Sequence, residues 1–149
     1  MVSNGIAFDP EDTRMYFSDT LGQMVYVFDF DIETGEISNR REFFSTKNRP
    51  GMVDGATVDQ DGYYWCALVA GGKVLRIDPK GRVDRAIDMP VPRPTCPTFG
   101  GVRYDILYVT SQRLFMTPEE LEAHPQAGNL FAIYGVGTRG FKEPRFAGI

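Results

Sequence analysis

The chain has 149 residues with 42% hydrophobic and 13% aromatic content, enough for one domain with a real core and aromatic-rich in the way β proteins often are. Its net charge is −4 and no basic patch stands out, which argues against nucleic acid as a partner. Residues 1–15 have neither a basic start nor an apolar core, and no stretch is long enough to span a bilayer, so no membrane association is expected and the default location is cytoplasmic.

Period-2 alternation dominates, and sixteen Gly and ten Pro supply the turns between strands. In chain order, Asn4-Gly5-Ile6-Ala7-Phe8-Asp9 and Met15-Tyr16-Phe17-Ser18 read as the first two strands. Met24 to Phe28 follows, then Ile37 to Phe44, joined by a polar turn over Asp29 to Gly35. That turn has acidic residues, but its glycine falls one place late for an EF-hand loop and no helices flank it, so it reads as a solvated hairpin. The pattern then restarts. Asp54-Gly55-Ala56-Thr57-Val58-Asp59 copies the opening segment, and Tyr63 to Leu68, Lys73 to Asp78 and Arg82 to Ile87 continue it. Gly71-Gly72 reads as a turn, and the stretch from Pro90 to Thr95 as a rigid crossover. Ile106 to Thr110 and Leu130 to Tyr134 are two further strand-like runs. Between them, Thr117-Pro118-Glu119-Glu120 carries an N-cap, a proline at the first helical position and a capping-box glutamate, predicting a short surface helix near 117–123.

Gly135-Val136-Gly137-Thr138-Arg139-Gly140 fits the spacing of a dinucleotide loop. A proline follows where the helix of that motif should run, so it reads instead as a glycine-rich hairpin. His124 is the sole histidine and lies at the end of the surface helix, which leaves no support for a Ser-His-Asp triad. Cys66 and Cys96 are read as buried free thiols.

The strands fall into groups of four, about 5–45, 55–88 and 96–146. Asn4 and Asp54 lie fifty residues apart and the next equivalent position, Thr95, forty-one further on. Four strands repeated at this interval are the signature of β-propeller blades, so the fold class is all-β with three four-stranded antiparallel blades in one unit over 1–149. Three blades are too few for a closed ring.

Asn4-Gly5 and Asp54-Gly55 each read, alone, as a turn. Repetition around a common axis would also bring an amide oxygen and a carboxylate together. Those are hard donors suited to Ca²⁺, Mg²⁺, Mn²⁺ or Zn²⁺. On the residues alone, both readings stand.

The run Ser3-Asn4-Gly5-Ile6-Ala7-Phe8-Asp9-Pro10, with Met15 to Thr20, resembles the senescence-marker-protein, gluconolactonase and luciferin-regenerating-enzyme family. Further matches follow in the family's order: Pro50 to Gly55, Gly71 to Val74, Val91 to Thr95, Phe99 to Gly101, Leu107 to Ser111, Ala127 to Phe131 and Phe146 to Gly148. The resemblance implies the C-terminal half of a six-bladed propeller with a divalent metal on its axis. It implies hydrolysis of a sugar lactone such as gluconolactone, with Asn4 and Asp54 as metal ligands and Asp54 also as the general base. An aspartate held against a metal has its charged form favoured, which makes it a weaker base, so the two roles pull against each other. The family's third ligand, a glutamate, and its sugar-contacting Arg and Asn belong to an N-terminal half that this sequence does not contain. A missing half or a second copy of the chain would complete the ring. The alternative is a non-catalytic calcium- or metal-binding half-propeller, or a scaffold.

Overall fold

A computed structural model describes residues 2–142. Eleven strands and one short helix follow each other along them. Strands β1 (Ser3–Phe8), β2 (Arg14–Asp19), β3 (Met24–Phe30) and β4 (Ile37–Ser45) form a first antiparallel sheet, in chain order across the sheet. β5 (Met52–Val58), β6 (Tyr64–Val69), β7 (Lys73–Ile77) and β8 (Val83–Asp88) form a second in the same way. β9 (Pro94–Gly100), β10 (Ile106–Ser111) and β11 (Phe131–Ile133) form a third. The helix α1 (Pro118–Ala123) lies between β10 and β11. Thr117 caps it, accepting from the Glu120 amide while Glu120 accepts from the Thr117 amide. Among the described residues no helix is long and apolar enough to cross a membrane.

The third sheet has three strands among the described residues. The fourth strand expected before 146 falls largely beyond residue 142. The segment 135–140 is a loop and not the expected hairpin. It is tied to the second sheet: Arg85 donates to the Val136 carbonyl, Thr138 to Asp61 and Arg139 to Gln60. Its backbone is thus committed to tertiary partners, which a sequence pattern does not disclose.

The repeated motif has a local cause at its far end. Asp9 accepts from the Thr13 and Arg14 amides, and Asp59 from the Asp61 and Tyr63 amides. Each carboxylate substitutes for a backbone acceptor and turns the chain from the first strand of a sheet into the second. Asp59 is fully buried and also accepts from the Trp65 indole (2.9 Å) and the Arg76 guanidinium (2.8 Å).

The core is two layers, one on each face of the second sheet. Tyr64, Cys66 and Leu68 of β6 pack with Ala7, Tyr16, Val25 and Phe44 of the first sheet. Trp65, one residue out of phase, packs with Leu107 and Val109 of the third and with Val136 of the loop 135–140. Every residue of β6 is buried. Alternation therefore delivers apolar side chains to both faces, which is why Tyr64 to Val69 is a continuous apolar run.

Candidate metal centre

The first strands of the three sheets lie beside one another, β1 against β5 and β5 against β9. Each is irregular at the same place in its pairing. The register of β1 on β2 shifts between Asn4 and Ala7, that of β5 on β6 between Val53 and Ala56, and that of β9 on β10 at Thr95. A bulge re-aims a side chain away from the plain in-out alternation of a strand. Asn4, Asp54 and Thr95 thus occupy the same structural position in three successive units. All three lie within strands, although Asn4-Gly5 and Asp54-Gly55 each read, alone, as a turn.

Glycine makes the approach possible. Gly5 has φ +55, and a Cβ there would stand 2.8 Å from the Asp54 carbonyl oxygen and 2.5 Å from the Tyr64 hydroxyl. A Cβ on Gly55 would stand 2.8 Å from the Thr95 carbonyl oxygen and 2.6 Å from the Cys96 sulfur. Both lie well inside van der Waals contact, so one step is built twice. The glycine that follows each donor abuts the carbonyl of the next donor, drawing Asn4 to Asp54 and Asp54 to Thr95.

The neighbours hold these residues in place. The Asn4 amide nitrogen donates to Thr20 Oγ1 at 3.0 Å, which leaves its oxygen as the free donor toward a cation. The Tyr64 hydroxyl donates to the Gly5 carbonyl at 2.9 Å and lies 2.9 Å from Ser18 Oγ. Burial raises the Tyr64 phenol well above its ordinary pKa, so it remains a protonated donor.

Asp54 is half-buried, and among the described residues no Arg, Lys or His pairs with it. Loss of water raises its pKa, and the Gly55 amide offsets this only in part. A carboxylate in this condition is stabilised by a proton or a cation. Two hard oxygen donors beside an uncompensated negative charge fit a divalent cation. No three His, Cys, Asp or Glu side chains come together as a metal cage among the described residues. An apolar cavity of about 410 Å³ lies at the far ends of β1 and β5, lined by Phe8, Phe30, Val58 and Phe141, and contains neither donor.

Cys66 is buried, and burial pushes its thiol up to about 12. Cys96 is exposed, contrary to the sequence reading. Its sulfur lies against Gly55 of β5. His124 caps the C-terminal end of α1 and takes no part in the centre. Thr20, Ser18 and Tyr64 were missed. The signal available for the first two was the polar Ser18-Asp19-Thr20 ending an otherwise apolar strand.

The chain is thus built of successive antiparallel sheets whose bulged first strands carry Asn4, Asp54 and Thr95 at equivalent positions. A family model described as SMP-30/Gluconolactonase/LRE-like region matches residues 1–113, and the chain belongs to that family. It is 37% identical to human regucalcin over 148 residues, 99% of this chain and 50% of the relative. The solved calcium-binding protein regucalcin from Agrobacterium tumefaciens superposes with a TM-score of 0.90 at 31% identity, over 96% of this chain and 48% of that one. A gluconolactonase from Xanthomonas campestris matches with a TM-score of 0.61 at 29% identity, over 72% of this chain and 34% of that one. The chain spans about half the length of the curated relatives it matches.

Proposed function

We propose that the chain supplies three blades of a six-bladed propeller that hydrolyses a sugar lactone with the help of a divalent cation. Asn4 and Asp54 are two of the ligands in this reading, and Ca²⁺, Mg²⁺, Mn²⁺ and Zn²⁺ all suit such donors. The observation that carries it is Asp54: a half-buried carboxylate with no cationic partner among the described residues, drawn toward Asn4 by the close approach at Gly5. Likeness to a gluconolactonase supports the substrate class, and likeness to a calcium-binding protein supports the cation.

A cation bound there would polarise the lactone carbonyl and favour the charge that develops on its oxygen. Asp54 takes the proton of the water that attacks the carbonyl carbon and returns it to the ring oxygen as the ring C–O bond opens to give the hydroxy acid. Desolvation of Asp54 strengthens it as a base, which eases the conflict between its two roles. Thr20 holds the Asn4 amide nitrogen, which would leave the amide oxygen available to a cation.

The test is gluconolactone hydrolysis with and without EDTA, in the native chain and in Asp54→Ala. Loss of metal-dependent turnover by about 10²-fold or more in the variant is expected for removal of a general base and ligand. Unchanged metal-stimulated turnover overturns the assignment. A second reading, metal binding without turnover, is favoured by one observation: among the described residues no three His, Cys, Asp or Glu side chains form a cage. Metal-stimulated hydrolysis by the 149-residue chain would exclude it.

A further inference from the structure

In two of the three units, the residue at the bulge carries a hydrogen that a threonine takes up. The Asn4 amide nitrogen donates to Oγ1 of Thr20, just beyond β2, at 3.0 Å. Thr95 Oγ1 lies 2.7 Å from Oγ1 of Thr110 in β10. Thr110 Oγ1 also lies 3.3 Å from the Cys96 carbonyl oxygen, which can only accept. A hydroxyl has one hydrogen, so that of Thr110 goes to the carbonyl and Thr95 donates to Thr110. The second unit needs no such partner. Asp54, as a carboxylate, has no hydrogen to place. The residue facing it on β6, between the Val53–Leu68 and Ala56–Cys66 pairs, is Ala67, which has no hydroxyl. All three units thus reach one result by different means: an oxygen with lone pairs to offer and its hydrogen, if any, already used. Among the described residues Thr95 Oγ1 has no hydrogen-bond partner but Thr110. Donating to Thr110 also makes it a better acceptor, because linked hydrogen bonds polarise one another.

Thr95 stands one strand on from Asp54. β9 lies against β5, and the Thr95 carbonyl oxygen is what a Cβ on Gly55 would meet at 2.8 Å. Hard divalent cations draw on carboxylates, carbonyls and water, and a neutral hydroxyl is a poor rival to these. A sugar lactone makes a different demand. Its ring hydroxyls bring hydrogens that need acceptors once water leaves them. Oxygens of Asn4 and Asp54 committed to a cation are not available for that. We propose that Thr95 is a substrate-positioning residue: its Oγ1 accepts a hydrogen bond from one ring hydroxyl of the lactone, while Thr110 holds its own hydrogen out of the way. The proposal rests on the lactonase reading and adds to it a means of selecting a hydroxylated ring, because a site that pairs with a substrate hydroxyl discriminates against an analogue lacking it.

Titration calorimetry of the full chain in Ca²⁺ tests this, with gluconolactam, a non-hydrolysable analogue of gluconolactone, and with gluconolactams that each lack one hydroxyl. Thr95→Val keeps the shape of the side chain and removes its oxygen; circular dichroism checks that it folds. It is expected to bind gluconolactam about 5–10-fold more weakly, the worth of one neutral hydrogen bond, with Ca²⁺ affinity unchanged. Thr95→Ser, which keeps the hydroxyl, binds as the native chain does. One deoxy analogue should lose the same factor against the native chain, yet bind Thr95→Val no worse than gluconolactam does, which couples that hydroxyl to Thr95. Unchanged gluconolactam binding in Thr95→Val overturns the inference and leaves the lactonase reading standing. So does a loss that couples to no single hydroxyl, the mark of a merely structural role. A loss of Ca²⁺ affinity in Thr95→Val makes Thr95 a cation ligand and overturns the inference as well. A native chain that binds Ca²⁺ but no gluconolactam fails the lactonase reading, and the inference with it.

Discussion

Gly5→Ala tests whether the first two strands meet as closely as their donors require. Two costs are added. A non-glycine residue at φ +55 costs about 1–2 kcal/mol. The new methyl would also stand 2.5 Å from the Tyr64 hydroxyl and 2.8 Å from the Asp54 carbonyl oxygen, and such overpacking costs about 1–3 kcal/mol. The total is about 2–5 kcal/mol. Gly35→Ala isolates the first cost, because Gly35 also has positive φ (+73) but nothing within 4 Å of its would-be Cβ. Urea denaturation of the three proteins reads the difference. With a slope of about 2 kcal/mol per molar, Gly5→Ala lowers the midpoint by about 1–2.5 M and Gly35→Ala by about 0.5–1 M. Equal midpoints for the two variants would refute the reasoning, since the abutment of Gly5 on Asp54 would then carry no energy. The same substitution weakens Ca²⁺ binding in titration calorimetry, because the clash moves β1 away from Asp54.

Arg76→Ala strips the fully buried Asp59 of its cation and is expected to cost about 3–5 kcal/mol in thermal or urea unfolding. Arg82→Ala, which breaks an ion pair whose Arg82 side chain is 73% exposed, costs less than about 1 kcal/mol. Thr20→Val keeps shape but removes the partner of the Asn4 amide, and Ca²⁺ affinity is expected to fall about 10-fold or more in dialysis while the unfolding midpoint without metal barely moves. The Arg82 backbone N–H holds Asp78 below the usual carboxylate range. Between its ordinary and its lowered pKa the unfolded chain takes up a proton that the native chain does not. This stabilisation is therefore complete above the ordinary value and is lost as pH falls through the lowered one, so Asp78→Asn should flatten the acid limb of the stability curve.

Much of the architecture was legible in the chain itself. Strand positions could be read because apolar runs such as Tyr64–Val69 are bounded by turn residues, and the helix because Thr117, Pro118 and Glu120 form a cap from neighbouring residues. The repeated Asn-Gly and Asp-Gly pairs were visible for the same reason: their chemistry is local. Cys96 was misjudged because exposure depends on what covers a strand. The loop 135–140 was misjudged because its partners, Gln60, Asp61 and Arg85, lie far away in sequence.

The sequence by itself determined that this is an all-β chain of repeated units with oxygen donors at equivalent places. Backbone geometry, turn chemistry and alternation act over a few residues and leave their mark on every strand. Only the tertiary structure decided that Gly5 lets β1 abut the Asp54 carbonyl, that Thr20 and Tyr64 hold that junction, and that among the described residues no Arg, Lys or His pairs with Asp54. These facts rest on strands brought together from fifty residues apart, where packing and desolvation act and sequence periodicity does not reach.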